Sequence, residues 1–188
     1  MKSAFIIHGA HGSPDENWFP WLKKELESEG YEVFVPAFPT PKKQELREWL
    51  RVLSKVEKSV NEDSIFIGHS VGVAFILSIL EKISTPIKAA FLVSGFLGKL
   101  GNPDFDRINQ SFTEKDFDVA AIKKKCKCVM LFHGSDDPYV PVGKAQQLQE
   151  VVGGELIIVP QGGHLNAASG YKKFPLLLEK IRQTQTAK

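Results

Sequence analysis

The chain has 188 residues, with 24 basic and 22 acidic side chains and a formal net charge of +2. That balance provides no field for holding a nucleic acid or an anionic membrane surface, and no apolar stretch reaches the roughly 18 residues that a membrane helix needs. With 43% hydrophobic and 24% charged residues, the composition is that of a globular chain, and one domain spanning residues 1–188 is expected.

Ala4-Phe5-Ile6-Ile7-His8 is a continuous apolar run, suited to a parallel strand covered on both faces. It is cut short by Gly9, which makes it too brief for the core of a signal peptide. The small residues of Gly9 to Pro14 form a loop. Trp18, Phe19, Trp21, Leu22 and Leu26 have helical spacing, and the helix predicted from Trp18 to Glu29 stops at Gly30. Tyr31 to Val35 alternates as a second strand. Pro36, Pro39 and Pro41 mark an irregular loop. Leu46, Trp49, Leu50, Leu53 and Val56 predict an amphipathic helix from Glu45 to Val60. Ile65-Phe66-Ile67 is a third strand, running into Gly68-His69-Ser70-Val71-Gly72 and then a long apolar helix. Ala89 to Val93 is a fourth strand. Residues 95–125 form an irregular segment with weak helical signals. Cys128 to His133 is a fifth strand, followed by the turn Gly134 to Pro138 and a helix from Val142 to Val152. Glu155 to Val159 is a sixth, and a helix from Tyr171 to Thr184 closes the chain. The two cysteines, Cys126 and Cys128, are too close to staple each other and read as reduced thiols, which fits a cytoplasmic setting.

Strands and helices alternate from end to end. The expected fold class is α/β, a three-layer sandwich with a mostly parallel six-stranded sheet and helices on both faces. In such sheets functional groups gather in the loops beyond the carboxyl ends of the strands. If the first strand lies between the second and third, the crevice falls between the first loop and the turn at Ser70.

The G-x-S-x-G at Gly68 to Gly72, set between an apolar strand and an apolar helix, has the form of the α/β-hydrolase nucleophile elbow. A serine needs a base to take its proton. Histidines occur at positions 8, 11, 69, 133 and 164. His69 is inside the elbow, so its side chain should point away from the Ser70 hydroxyl, while His8 and His133 end strands, where burial is the commoner role. His164, in the loop after the last strand, is the candidate base. A carboxylate must orient it. The turn after the fifth strand offers Asp136 and Asp137, and the residues alone do not choose between them. For a developing oxyanion, the Val71 amide at the start of the elbow helix is one candidate donor. Ala10 is the other, with His11 as its rival. Phe96, Leu97 and the Gly95–Phe117 segment, together with Trp18, are candidates for an apolar acyl pocket.

The chain resembles the retinoblastoma-binding serine hydrolase and YdeN-like family of small α/β-hydrolases. The likeness rests on His8-Gly9, the N-W-F-P-W-L-K-K-E-L segment from Asn17 to Leu26 and the P-x-P loop at Pro39 and Pro41. It continues through G-H-S-V-G, V-S-G-F at Val93 to Phe96, D-D-P-x-V-P from Asp136 to Pro141 and G-G-H at Gly162 to His164. The resemblance implies a Ser70, Asp137, His164 triad, the acid being the Asp directly before Pro. It also implies a sheet without the antiparallel strands that open larger relatives. The leading expectation is a serine hydrolase without cofactor or metal, acting on small carboxylic esters, with amides or thioesters as further candidates. The alternatives are a non-catalytic protein-binding module on a hydrolase scaffold and a metal hydrolase using the strand-end histidines. No protein partner is indicated.

Overall fold

In the computed structural model, which describes residues 1–186, the apolar runs become six strands. They are β1 (Ser3–Ile7), β2 (Glu32–Phe34), β3 (Ile65–His69), β4 (Ile87–Val93), β5 (Cys126–Gly134) and β6 (Glu155–Val159). They form one sheet in the order β2-β1-β3-β4-β5-β6, and every pairing is parallel. The register aligns the strand ends: Ile7 lies opposite Gly68, His69 opposite Val93, Val93 opposite Phe132, and Gly134 opposite Val159. The loops beyond these residues therefore share one rim. Chain direction across the sheet reverses at β1, so the crevice opens between the β1 loop and the turn after β3, as the sequence predicts.

Side-chain alternation along each strand divides the interior into two layers. Phe5, Ile7, Phe66, Ala90, Leu92 and Leu131 face a cluster built with α2 (Leu46–Leu53), α3 (Val71–Leu80), α4 (Pro103–Thr113), α5 (Val119–Lys125) and α6 (Val142–Val152). Ala4, Ile6, Ile65, Ile67, Phe91, Val93 and Phe132 face the other cluster, built with α1 (Phe19–Ser28) and α7 (Pro175–Thr186). Every residue of α3 is buried, which explains a helix that is apolar all round. Among the described residues, no helix is long and apolar enough to cross a membrane.

Several boundaries differ from expectation for local reasons. The helix predicted over 45–60 stops at Leu53; the Ser54 hydroxyl turns back to the Arg51 carbonyl (2.9 Å), and a short 3₁₀ turn follows at Glu57–Ser59. The last helix starts at Pro175 rather than Tyr171, since proline suits a first turn whose N–H groups lack helical acceptors. Segment 95–125 contains two capped helices. Asn102 accepts from the Asp104 and Phe105 amides ahead of α4, and Asp118 accepts from the Ala121 amide ahead of α5.

Candidate active site

Ser70 sits at the tip of the turn between β3 and α3 with φ 57° and ψ −127°. This is a strained conformation for a residue with a side chain. It is held by the Ser70 amide, which donates to the Val93 carbonyl (2.9 Å), and by the close approach of α3 to β1. A Cβ on Gly72 would fall 2.7 Å from the carbonyl oxygens of both Ile7 and His8, so only glycine lets the helix start there. The Val71 amide lies in the first turn of α3, where N–H groups have no acceptor within the helix.

His164 is brought to the same place by the loop after β6. Its Nδ1 lies 2.7 Å from Asp137 Oδ2. The Asp137 side chain is fully buried, and its Oδ1 accepts from the amides of Tyr139 (2.9 Å) and Val140 (3.0 Å). Burial works to raise the Asp137 pKa, but the hydrogen bond and charge of His164 and the two amides outweigh it and hold the carboxyl below its ordinary value. Asp136 does something different: its Oδ1 accepts from the Gly163 amide (2.8 Å) and so ties down the backbone before His164. The His164 carbonyl takes two donors, His69 Nε2–H (2.9 Å) and the Ser94 hydroxyl (3.1 Å). The Tyr139 ring covers the imidazole edge-on, at 5.1 Å between centroids.

Ser70, His164 and Ala10 all line one cavity of about 370 Å³, walled also by Phe96, Phe105 and Tyr139. The His11 amide is already committed to Thr40 Oγ1 (2.7 Å), so of the two candidate donors in the first loop it is the occupied one. Phe96 reaches the cavity, but Trp18 and Leu97 are not on its wall. Trp18 is fully buried, edge-on to Phe19, and its Nε1–H donates to the Leu165 carbonyl (3.0 Å). An indole buried in a core needs a partner for its N–H, and this one finds it in the loop that carries His164. Leu97 packs against the core and gives only its backbone carbonyl to Lys144.

The sequence did not single out Ser94 or Tyr139 as parts of this region, and it offered Asp136 only as a rival acid and Phe105 only within a broad segment. Ser94 had a signal, the V-S-G-F motif, whose serine supports His164 and whose Phe96 walls the cavity.

The other buried histidines are neutral structural groups. The Phe38 amide donates to His8 Nε2 (3.0 Å), so the proton is on Nδ1, which bonds the Gly9 carbonyl (2.8 Å) and shapes the loop carrying Ala10. His133 Nε2–H donates to the Val140 carbonyl (2.8 Å). Burial lowers the pKa of His8 and His133, and burial together with the nearby His164 lowers that of His69 to about 3. A histidine with a depressed folded pKa takes up its proton on unfolding. Its contribution to stability is therefore intact above the unfolded value of about 6.5 and is lost as pH falls toward the folded value. Between pH 7 and 5 the loss from His69 alone is expected to be about 2 kcal/mol, with His8 and His133 adding in the same direction. Asp137 acts in a lower window, below the ordinary carboxylate pKa. Urea unfolding midpoints at the two pH values measure the effect, and a flat profile would contradict the neutral assignments.

A fully parallel sheet with a strained serine between β3 and α3, and a cavity shared by that serine and a histidine bonded to a buried carboxylate, is the architecture of an α/β-hydrolase. Residues 4–183 match the family model described as Serine hydrolase, and the chain belongs to that family. It is similar to the YdeN hydrolase of Bacillus subtilis (strain 168), at 31% identity over 182 residues, covering 96% of this chain and 94% of the relative. The serine hydrolase RBBP9 of Rattus norvegicus is 26% identical over 164 residues, covering 86% of each. The crystal structure of the Bacillus subtilis ydeN product superposes with a TM-score of 0.92 at 28% identity and covers 100% of both chains. The protein is thus a serine hydrolase.

Proposed function

We propose that the protein hydrolyses small carboxylic esters through an acyl-enzyme on Ser70. The observation that carries this reading is the 2.7 Å contact between His164 Nδ1 and the buried Asp137 carboxylate, on an imidazole that lines the same cavity as Ser70. A proton held on Nδ1 leaves the Nε2 lone pair free to accept the Ser70 proton as Oγ attacks the substrate carbonyl. His164 then returns that proton to the leaving alcohol, and water repeats the sequence to release the acid. Asp137 orients the imidazole and offsets its positive charge. The Val71 and Ala10 amides receive the oxyanion, a role worth on the order of 10²–10³ in rate per donor. Phe96 offers apolar surface to the substrate. Small amides and thioesters are within reach of the same chemistry.

Labelling with a fluorophosphonate tests the reading. The folded protein is expected to take one label, mapped by peptide mass spectrometry to the segment containing Ser70. Folded protein that stays unlabelled would sink it.

A further inference from the structure

Ser70 and His164 do not use every chemical group in their cavity. Glu16 and Asn17 line the same cavity as the serine. The β1 loop packs against both Ser70 and Glu16. A Cβ on Gly9 would fall 3.4 Å from Ser70 Oγ; one on Gly12 would fall 2.9 Å from the Gly9 carbonyl oxygen and 2.8 Å from Glu16 Oε1. Gly9 thus lets the loop approach Ser70 closely and Gly12 lets it approach Glu16, with Ala10 and His11 between them on the cavity wall.

The Glu16 carboxylate is anchored. Asn17 Nδ2 donates to its Oε1 (3.2 Å), and Asn17 Oδ1 in turn accepts from the Ala167 amide (2.8 Å), beyond His164. No lysine or arginine is among the described residues lining the cavity. The titratable groups that share it with Glu16 are His11, His69, Tyr139 and His164, and Asp137 lies behind His164. His69 is neutral, for the reason given above. Burial is the leading cause of a raised Glu16 pKa, so this charge is partly desolvated, with no lysine or arginine among the described residues of the wall to pair with it. A substrate cation would supply that partner, whereas a substrate carboxylate would meet repulsion in a partly dry cavity.

We infer that Glu16 is a specificity-determining residue, selecting esters that carry an ammonium group within one loop's reach of the scissile carbonyl and rejecting anionic ones. The inference rests on the hydrolase reading above, since it assigns the substrate class of the same site.

Two pairs of nearly isosteric substrates test it, one for each side of the scissile bond. On the alcohol side, 2-(trimethylammonio)ethyl thioacetate is compared with 3,3-dimethylbutyl thioacetate. On the acyl side, p-nitrophenyl 4-(trimethylammonio)butanoate is compared with p-nitrophenyl 5,5-dimethylhexanoate. In at least one pair, kcat/KM is expected to favour the cation by about tenfold, the scale of one poorly screened charge pair. Glu16→Gln should bring that ratio close to one, and Glu16→Asp should keep part of it. Fluorophosphonate labelling of both variants shows that the site is still assembled. Ratios within about twofold of one in both pairs, or a preference that survives Glu16→Gln, would overturn the assignment while leaving the hydrolase reading in place. No labelling and no turnover of the neutral esters would overturn both.

Discussion

Ser70→Ala is expected to lower ester hydrolysis by about 10⁴–10⁶-fold and to remove fluorophosphonate labelling, with little change in stability. The size follows from what the hydroxyl does: without it no acyl-enzyme forms, and only the oxyanion donors and binding remain to help direct attack by water. Stability should hold because the Ser70 side chain makes no capping bond to α3, and alanine meets much the same backbone strain at φ 57° as serine does. The Ser70 amide bond to Val93 does not depend on the side chain. Steady-state rates on a p-nitrophenyl ester, read beside urea unfolding curves, separate chemistry from folding. Activity within about tenfold of the parent in a folded variant would mean that another group is the nucleophile.

The elbow was legible because its signal is local. A strand, a turn with two glycines and an apolar helix lie within one short stretch, and close packing against β1 gives the reason for Gly72. The strands were legible for the same cause: parallel strands covered on both faces must be apolar throughout, and Ser3–Ile7 and Ile65–His69 are wholly buried. What stayed hidden depends on partners far along the chain. His8 meets Phe38, His69 meets the His164 backbone, and Trp18 meets Leu165. No periodicity reports such pairings. Trp18 illustrates the consequence. An aromatic residue in a family motif near the first loop reads equally well as pocket wall or as core, and only its buried N–H bond to the His164 loop distinguishes the two. Segment 95–125 was hard to read because its helices are short and depend on caps at Asn102 and Asp118 more than on an apolar stripe.

Asp136 and Asp137 are adjacent, and the residues alone left the acid open between them. Their bonding separates them, and the two asparagine variants should separate as well. Asp137 Oδ1 is held by two backbone N–H donors, from Tyr139 and Val140, while Oδ2 faces His164 Nδ1. An asparagine at 137 has one carbonyl oxygen and one NH₂. The two backbone donors claim the oxygen, so the NH₂ is turned toward the imidazole. Nδ1 must then accept rather than donate, and the ring proton moves to Nε2, the atom that has to receive the Ser70 proton. Asp137→Asn is therefore expected to lower kcat by about 10⁴-fold, with a much smaller change in KM, because the loss falls on the transition state. Asp136 is exposed and accepts a single bond, from the Gly163 amide, through Oδ1. The carbonyl of an asparagine can accept that bond equally well, so Asp136→Asn should stay within about tenfold of the parent. The rates of the two variants, measured on protein with native near-UV circular dichroism, decide the matter. An equal or larger loss at position 136 would transfer the role of the acid to Asp136 and leave the contact between Asp137 and His164 without a catalytic purpose.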